Sequence, residues 1–417
     1  MENRRLSILI SAYACEPHKG SEPAVGWNWV KQIARFANTW VITRANNKQV
    51  IEDELRNNPD VNLHFIYVDL PKWARFWKKG GRGIRTYYYL WQFAAIKKAL
   101  QYKRKQSFDL AHHITFVNDW LPCLLVLLPL PFIWGPIGSH PNVPLRFMPN
   151  NKALSLEIFR RIIQNFFRCF DPFFYLTLFL SKKIIHINKE MKKKYPFFLI
   201  AESKYYYQPA IGYDVISEIV NQKKKDIECL KIISVGRLIY FKGFHLALKA
   251  FSKVLEDNYK MKFEIVGEGT ELHSLEKFTR KLGIKEQVLF TGNVPRTEVI
   301  RKMSKSDIFL FPSFEGGGMV VLEAMAARLP IVCLDYGGPG KMVSDECGIK
   351  VKPKNPGQTV QELSEGLIKL ASDPELRKRM GAASRKRVEE YFSWENKGEF
   401  IQKLYLDVLD SEGSSRT

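Results

Sequence analysis

Four charged side chains stand where loops can bring them to a diphosphate and to the hydroxyls of a sugar: Arg237, Lys242, Glu315 and Glu323. The segment FEGGGMVVLEAMAARLP, residues 314–330, follows the apolar run IFLFP and passes through Glu315, Gly316, Gly317 and Gly318 into helix-forming residues. Strand, glycine loop, helix is an anion-site layout. Glycines let backbone N–H groups approach a ligand closely, and the helix start adds a partial positive charge. Glu315 lies in the mouth of the loop, with Glu323 eight residues on in the early turns of the helix. Two carboxylates at fixed spacing accept hydrogen bonds from hydroxyls, which suits a sugar or ribose better than a phosphate. Upstream, SVGRLIYFKGF (234–244) sets Arg237 and Lys242 five residues apart across a strand-to-helix loop. There a guanidinium fork and a point charge can converge on one diphosphate.

The elements that hold these residues follow from hydrophobic period. Short β-branched runs alternate with longer amphipathic ones, the pattern of βα units around parallel sheets. One series of predicted strands covers Ser7–Ser11, Trp40–Thr43, Leu63–Val68, Leu110–His112, Phe132–Trp134 and Lys183–Ile187. A second covers Lys231–Val235, Lys262–Val266, Gln287–Thr291, Ile308–Pro312 and Ile331–Leu334. The rhythm restarts after the polar stretch Asn221–Asp226, so the linker is expected there, between domains at 1–220 and 227–390. Pro141–Phe198 reads as helices on the first domain, and the last eight residues as a frayed tail.

Composition bounds the partners. The 417 residues are 46% hydrophobic and 26% charged, which is globular and excludes a wholly disordered or collagen-like chain. Of the net charge of +21, residues 1–225 carry +18 and the rest +3. Such asymmetry points to an anionic partner, nucleic acid or a membrane face. Six cysteines without CxxC spacing indicate neither a zinc site nor a disulfide framework, and the start MENRRLSILISAYACEP does not read as a signal peptide. Leu121–Trp134, the most apolar stretch, carries three prolines and falls short of the ~20 apolar residues a span needs. A cytoplasmic protein without a transmembrane helix is expected.

In order, Arg237…Lys242, the turn Gly267-Glu268-Gly269 within KFEIVGEGTEL, and Glu315…Glu323 resemble the C-terminal domain of family 4 (group 1) retaining glycosyltransferases. The likeness extends to SILISAYACEPHKGSEPAVGWNW, similar to that family's first strand and glycine loop, and to FDLAHHIT, similar to its Asp-x-x-His strand end. YFSWENKGEFIQKLY resembles its closing helix, which crosses back onto the first domain, here at about 391–410. The resemblance implies the α/β GT-B fold, two Rossmann-like domains facing each other across a cleft, the first for the acceptor and the second for a nucleotide-sugar donor.

The roles it implies are specific. Glu323 would hold the nucleotide ribose, Glu315 the hydroxyls of the donor sugar, and Arg237 with Lys242 the diphosphate, with Gly267 and Glu268 near the base. Gly20 and Ser21 would form the phosphate loop of the first domain. His112 would be the active-site histidine, with His113 as the alternate. No cofactor beyond the nucleotide sugar, itself a substrate, and no metal would be required, since preorganised cations meet the charge that develops on the leaving diphosphate. Three positions depart from the family pattern. Ser21 stands where a second glycine is usual, Ile114 where many relatives carry a second His, and Lys341 where the loop after Gly337-Gly338-Pro339 commonly has Glu.

Residues 71–105 interleave Trp and Tyr with Lys and Arg, and the cluster Phe166, Phe167, Phe170, Phe173, Phe174 and Phe179 repeats the theme. The stretch reads either as a membrane-interface or base-stacking surface or as a helix whose aromatics are core. Taken together, the expectation is a retaining hexosyltransferase acting on a glycan, favoured as lipid-linked, with the basic half on the cytoplasmic face of an anionic membrane. The competing readings are a nucleic-acid or anionic-polymer binder, with nucleic acid disfavoured, and a GT-B epimerase or phosphorylase.

Overall fold

The computed structural model describes residues 4–78, 83–139, 141–213, 229–257 and 259–413. The chain divides into two compact units: Met1–Ser139, Ile162–Gly212 and Trp394–Thr417 in the first, His140–Arg161 and Tyr213–Ser393 in the second. The predicted linker at 221–226 lies outside the described residues.

The first unit is built on seven strands: β1 (Leu6–Ala12), β2 (Ala37–Arg44), β3 (Leu63–Val68), β4 (Leu110–Thr115), β5 (Phe132–Ile137), β6 (Lys183–His186) and β7 (Tyr205–Tyr207). Their order is β3-β2-β1-β4-β5-β6-β7, with every pairing parallel. Central strands of a parallel sheet are covered on both faces and so read as continuous apolar runs. β1 and β4 conform, each almost wholly buried. The helices are α1 (Glu22–Ala34), α2 (Lys48–Asn57), α3 (Ile84–Lys103), α5 (Pro172–Leu180) and α13 (Trp394–Gly413), while α4 (Asn151–Phe170) contains the unit boundary at Arg161. Close packing of α1 under the loop after β1 needs Gly26, because a Cβ there would stand 2.0 Å from the Ala14 carbonyl oxygen. α13 packs on α1 through an edge-on pair of Trp29 and Trp394.

Among the described residues of 71–105, α3 divides its rings between core and surface. Tyr87, Tyr88 and Trp91 are buried core residues of the first unit, and Trp77 packs against that core. Among the described rings of this stretch, Trp73, Phe76 and Phe93 are exposed. A face of α3 that includes Leu90, Phe93 and Leu100 is exposed. The helix is therefore amphipathic, with most of its rings inside.

The second unit repeats the plan with β8 (Leu230–Val235), β9 (Met261–Val266), β10 (Val288–Gly292), β11 (Ile308–Phe311), β12 (Ile331–Leu334) and β13 (Gly348–Val351), ordered β10-β9-β8-β11-β12-β13 and again parallel. Its helices are α6 (Phe244–Glu256), α7 (Leu272–Lys281), α8 (Arg296–Ser304), α9 (Met319–Ala326), α10 (Gly337–Met342), α11 (Pro356–Ser372) and α12 (Pro374–Tyr391). The core joins Phe244, Leu248 and Phe251 of α6 to Leu363, Leu367 and Leu370 of α11 over the sheet.

Both predicted strand series are present. Two strands were not foreseen, β7 and β13, and each is the last strand of its sheet. An edge strand needs fewer residues and no two-sided burial, so Tyr-Tyr-Tyr and Gly-Ile-Lys-Val carry little periodic signal.

Candidate active site

In the second unit the candidate residues gather at one edge of the sheet. Arg237 follows β8, Gly267 and Glu268 follow β9, Glu315 to Gly318 follow β11, and Gly337 opens the helix after β12. These four strands are consecutive in the sheet, and β8 and β11 flank the point where the chain order reverses. Loops at the carboxyl ends of strands beside such a reversal form the ligand crevice of open α/β sheets.

The loops are tied to one another by their backbones. Gly236 N–H donates to the Val266 carbonyl at 2.9 Å and Leu238 N–H to the Glu268 carbonyl at 2.8 Å. This approach admits only glycine at 267, where φ is +133° and a Cβ would lie 2.1 Å from the Gly236 oxygen. Gly338 N–H donates to the Glu315 carbonyl at 2.9 Å, closing the glycine loop against the start of α10. Gly316 and Gly317 lie in that loop, and Gly318 precedes the first turn of α9.

Lys242 and Glu315 meet. The ammonium is ion-paired with Glu315 Oε2, both residues are 8% exposed, and Lys242 Nζ also lies 5.0 Å from the centre of the Phe311 ring. Glu315 Oε1 is buried with no hydrogen-bond partner among the described residues. Glu157 of α4 braces the turn carrying Lys242. Wholly buried, it is paired with Arg160 and Arg161 and accepts from Tyr240 Oη at 3.1 Å.

Glu323 lies on α9, also 8% exposed, and Oε1 accepts from Arg296 Nε at 2.8 Å. Burial raises its pKa above the ordinary carboxylate value, an effect that Arg296 opposes. Arg237 is exposed and makes no hydrogen bond to a described side chain, which leaves its fork open. Glu268 is exposed as well, its carboxylate beside Gly292. Arg296 was not foreseen: it lies 27 residues before Glu323, and no local spacing marks the pair.

In the first unit, Gly20 and Ser21 lie in the exposed loop before α1. Ser21 has φ 62°, a left-handed conformation that favours glycine, so the serine occupies a glycine's backbone position. Next to it Glu22 Oε1 accepts from the Val117 amide, and burial pushes this carboxyl up to about 7. His112 is fully buried in β4. Nδ1 meets Tyr405 Oη at 2.7 Å and Nε2 meets the Gly135 carbonyl at 2.6 Å, so both ring nitrogens are engaged inside the protein. Burial lowers its pKa to about 3, which keeps the ring neutral. His113 is buried too, with Nε2 3.2 Å from the Phe116 carbonyl and Nδ1 without a partner among the described residues. In this arrangement His112 offers no free nitrogen, and His113 offers only a buried one.

Residues 215–387 match the family model described as glycosyl transferases group 1. Over 185 residues the chain is 33% identical to a GDP-mannose-dependent monoacylated alpha-(1-6)-phosphatidylinositol monomannoside mannosyltransferase of Corynebacterium glutamicum, covering 42% of this chain and 46% of that protein. The chain spans less than half the length of the first curated relatives it matches. Among solved structures, sucrose-phosphate synthase of Thermosynechococcus elongatus aligns over 98% of this chain and 100% of its own, with a TM-score of 0.68 and 16% identity. HepE of Anabaena, solved in complex with UDP-glucose, aligns over 97% and 100%, with a TM-score of 0.61 and 15% identity. At such identity the structural likeness speaks for the fold alone, and that fold is GT-B. The match to the glycosyl transferases group 1 family thus spans the stretch that carries the glycine loop and all four charged residues.

Proposed function

We propose that the protein transfers a sugar from a nucleotide-sugar donor to a glycan acceptor with retention of configuration and without a metal ion. The observation that carries this reading is Glu315: one carboxylate oxygen is paired with Lys242, while the other is buried without a donor. A buried acceptor left unpaired costs about 1–3 kcal/mol, and a sugar hydroxyl would satisfy it. Arg237 and Lys242 would take the diphosphate and meet the charge it gains as the glycosidic bond breaks. Glu323, held by Arg296, would accept from the ribose hydroxyls. UDP-glucose in the HepE complex and GDP-mannose in the name of the mannosyltransferase support a nucleotide-sugar donor.

The acceptor we infer is lipid-linked, presented at the cytoplasmic face of an anionic membrane. The Corynebacterium relative is named for a phosphatidylinositol mannoside, and the first unit carries a surface suited to lipid. Ile162, Phe166 and Phe170 form an exposed apolar stripe on α4, continued by Leu176, Phe179 and Leu180 on α5. Phe93 of α3 joins it through a ring contact with Phe173, 5.5 Å between centroids. α3 contains no acidic residue, and on α4 and α5 the only acids, Glu157 and the capping Asp171, are buried. Exposed apolar side chains beside α3, whose charged residues are all Lys and Arg, suit a headgroup interface. No helix of the described residues is long and apolar enough to cross a membrane.

A melting-temperature panel over UDP-, GDP- and ADP-sugars tests the donor assignment, because a ligand that binds only the folded state stabilises it. One nucleotide class is expected to raise the midpoint, and no response to any of them would refute the reading.

A further inference from the structure

Five elements of the first unit converge on a cation that no described acid pairs with. Arg44 is the last residue of β2, at the carboxyl edge of the sheet and in register with Val68 at the end of β3. Its guanidinium lies 5.2 Å from the ring centre of Tyr13, which follows β1, and 4.8 Å from that of Tyr87 on α3. Both tyrosines are buried. Arg44 is half-buried, its guanidinium acts as a donor toward the Tyr13 hydroxyl, and Nε is shielded from solvent without a partner, while no ion pair joins it to a described acid. Asp69, the acid just beyond β3, is committed to Arg75. Lys78 brings a second positive charge, its ammonium 5.6 Å from the Tyr87 ring centre.

Aromatic rings cover the face of a guanidinium, and its N–H edge extends beyond them. That edge matches the paired oxygens of a phosphate or carboxylate. Holding that charge half-buried without an acidic partner is unfavourable, and an anion from outside the chain relieves it. The carboxyl edge of a parallel sheet is also where ligands of α/β units bind. We propose that Arg44, with Lys78 beside it, is an anion subsite that grips a phosphate or carboxylate on the acceptor. The inference rests on the first unit taking the acceptor, and it deepens that reading by requiring the acceptor to be negatively charged near the sugar that is extended. A lipid-linked glycosyl phosphate and an acidic sugar share this chemistry.

The test is calorimetric titration of the full chain carrying Arg237→Ala, Lys242→Met and Glu315→Gln, which removes the cations assigned to the donor without leaving a buried unpaired charge. One arm uses inorganic pyrophosphate and the other D-glucuronate. At least one is expected to bind, and adding Arg44→Gln is expected to weaken it about tenfold or more, as for loss of a charge-assisted pair. Pyrophosphate binding would assign a phosphate-bearing acceptor and glucuronate binding an acidic sugar. Should Arg44→Gln fold poorly, Arg44→Lys replaces it, and a several-fold loss is expected because lysine lacks the fork. Binding of neither probe, or binding indifferent to Arg44, overturns the proposal. The readout needs no donor or turnover, so its failure is distinct from a failure of the transferase assignment.

Discussion

Lys242 and Glu315, 73 residues apart in the chain, form a buried ion pair at the carboxyl edge of the second sheet. Neither charge is easily left alone there. Removing one partner of a buried pair typically costs about 3–5 kcal/mol, because the other remains desolvated and uncompensated. Lys242→Ala and Glu315→Ala are therefore expected to lower stability to urea by about that much. The double replacement Lys242→Met/Glu315→Gln should lie closer to wild type. Unfolding midpoints of the four proteins check this, and additive losses would show the two sites to be independent.

Arg296 shares Glu323's charge and opposes the rise in its pKa that burial causes. If the ionised carboxylate holds the donor, Arg296→Ala should move the acidic limb of kcat/KM to higher pH and raise KM more than it lowers kcat. A pH profile of the variant decides. An unmoved limb would mean that Glu323 does not act through its charge.

Lys397 on α13 is buried, with Nζ donating to the Pro209 carbonyl at 2.9 Å, and desolvation lowers its pKa to about 7. The unfolded chain holds that proton up to the ordinary lysine range, so between about pH 7 and 10 the unfolded state binds more protons. Stability should then rise with pH across this window, by up to about 1.4 kcal/mol per unit from this group. Lys397→Met should remove that slope and be the more stable protein near pH 7. Denaturant midpoints from pH 6 to 10 for both proteins test the difference.

If α3, α4 and α5 face lipid as proposed, exposed side chains make the contacts and not Tyr88, which is core. Replacing Ile162, Phe166 and Phe170 with serine should abolish most sedimentation with anionic liposomes, while Tyr88→Ala should instead lower stability, by about 3–5 kcal/mol as for a large core truncation. Neutral vesicles should bind weakly, and high salt should release the protein as the Debye length shortens. Equal binding to neutral and anionic vesicles would remove the charge argument.

The sequence revealed what depends on local period and spacing. The strands at Leu6–Ala12 and Ile308–Phe311 are continuous apolar runs because both faces are covered, and Glu315 to Glu323 is legible because loop and helix are contiguous. Long-range pairings left no such trace. Lys242 meets Glu315 and Arg296 meets Glu323 only once the sheet sets their loops side by side. The same limit applies to His112, whose two hydrogen bonds, to Gly135 and to Tyr405 near the end of the chain, depend on how α13 packs. Interleaved rings and cations at 71–105 were ambiguous because a buried helical face and an exposed one have the same spacing.

The account turns on Glu315 touching the donor sugar. Its most direct test is turnover of the nucleotide sugar identified by the melting panel, comparing wild type with Glu315→Gln, which keeps shape and removes charge. The account predicts a folded variant whose kcat falls by about a hundredfold or more, the scale on which loss of one preorganised polar contact acts. Wild-type kcat in Glu315→Gln would contradict it.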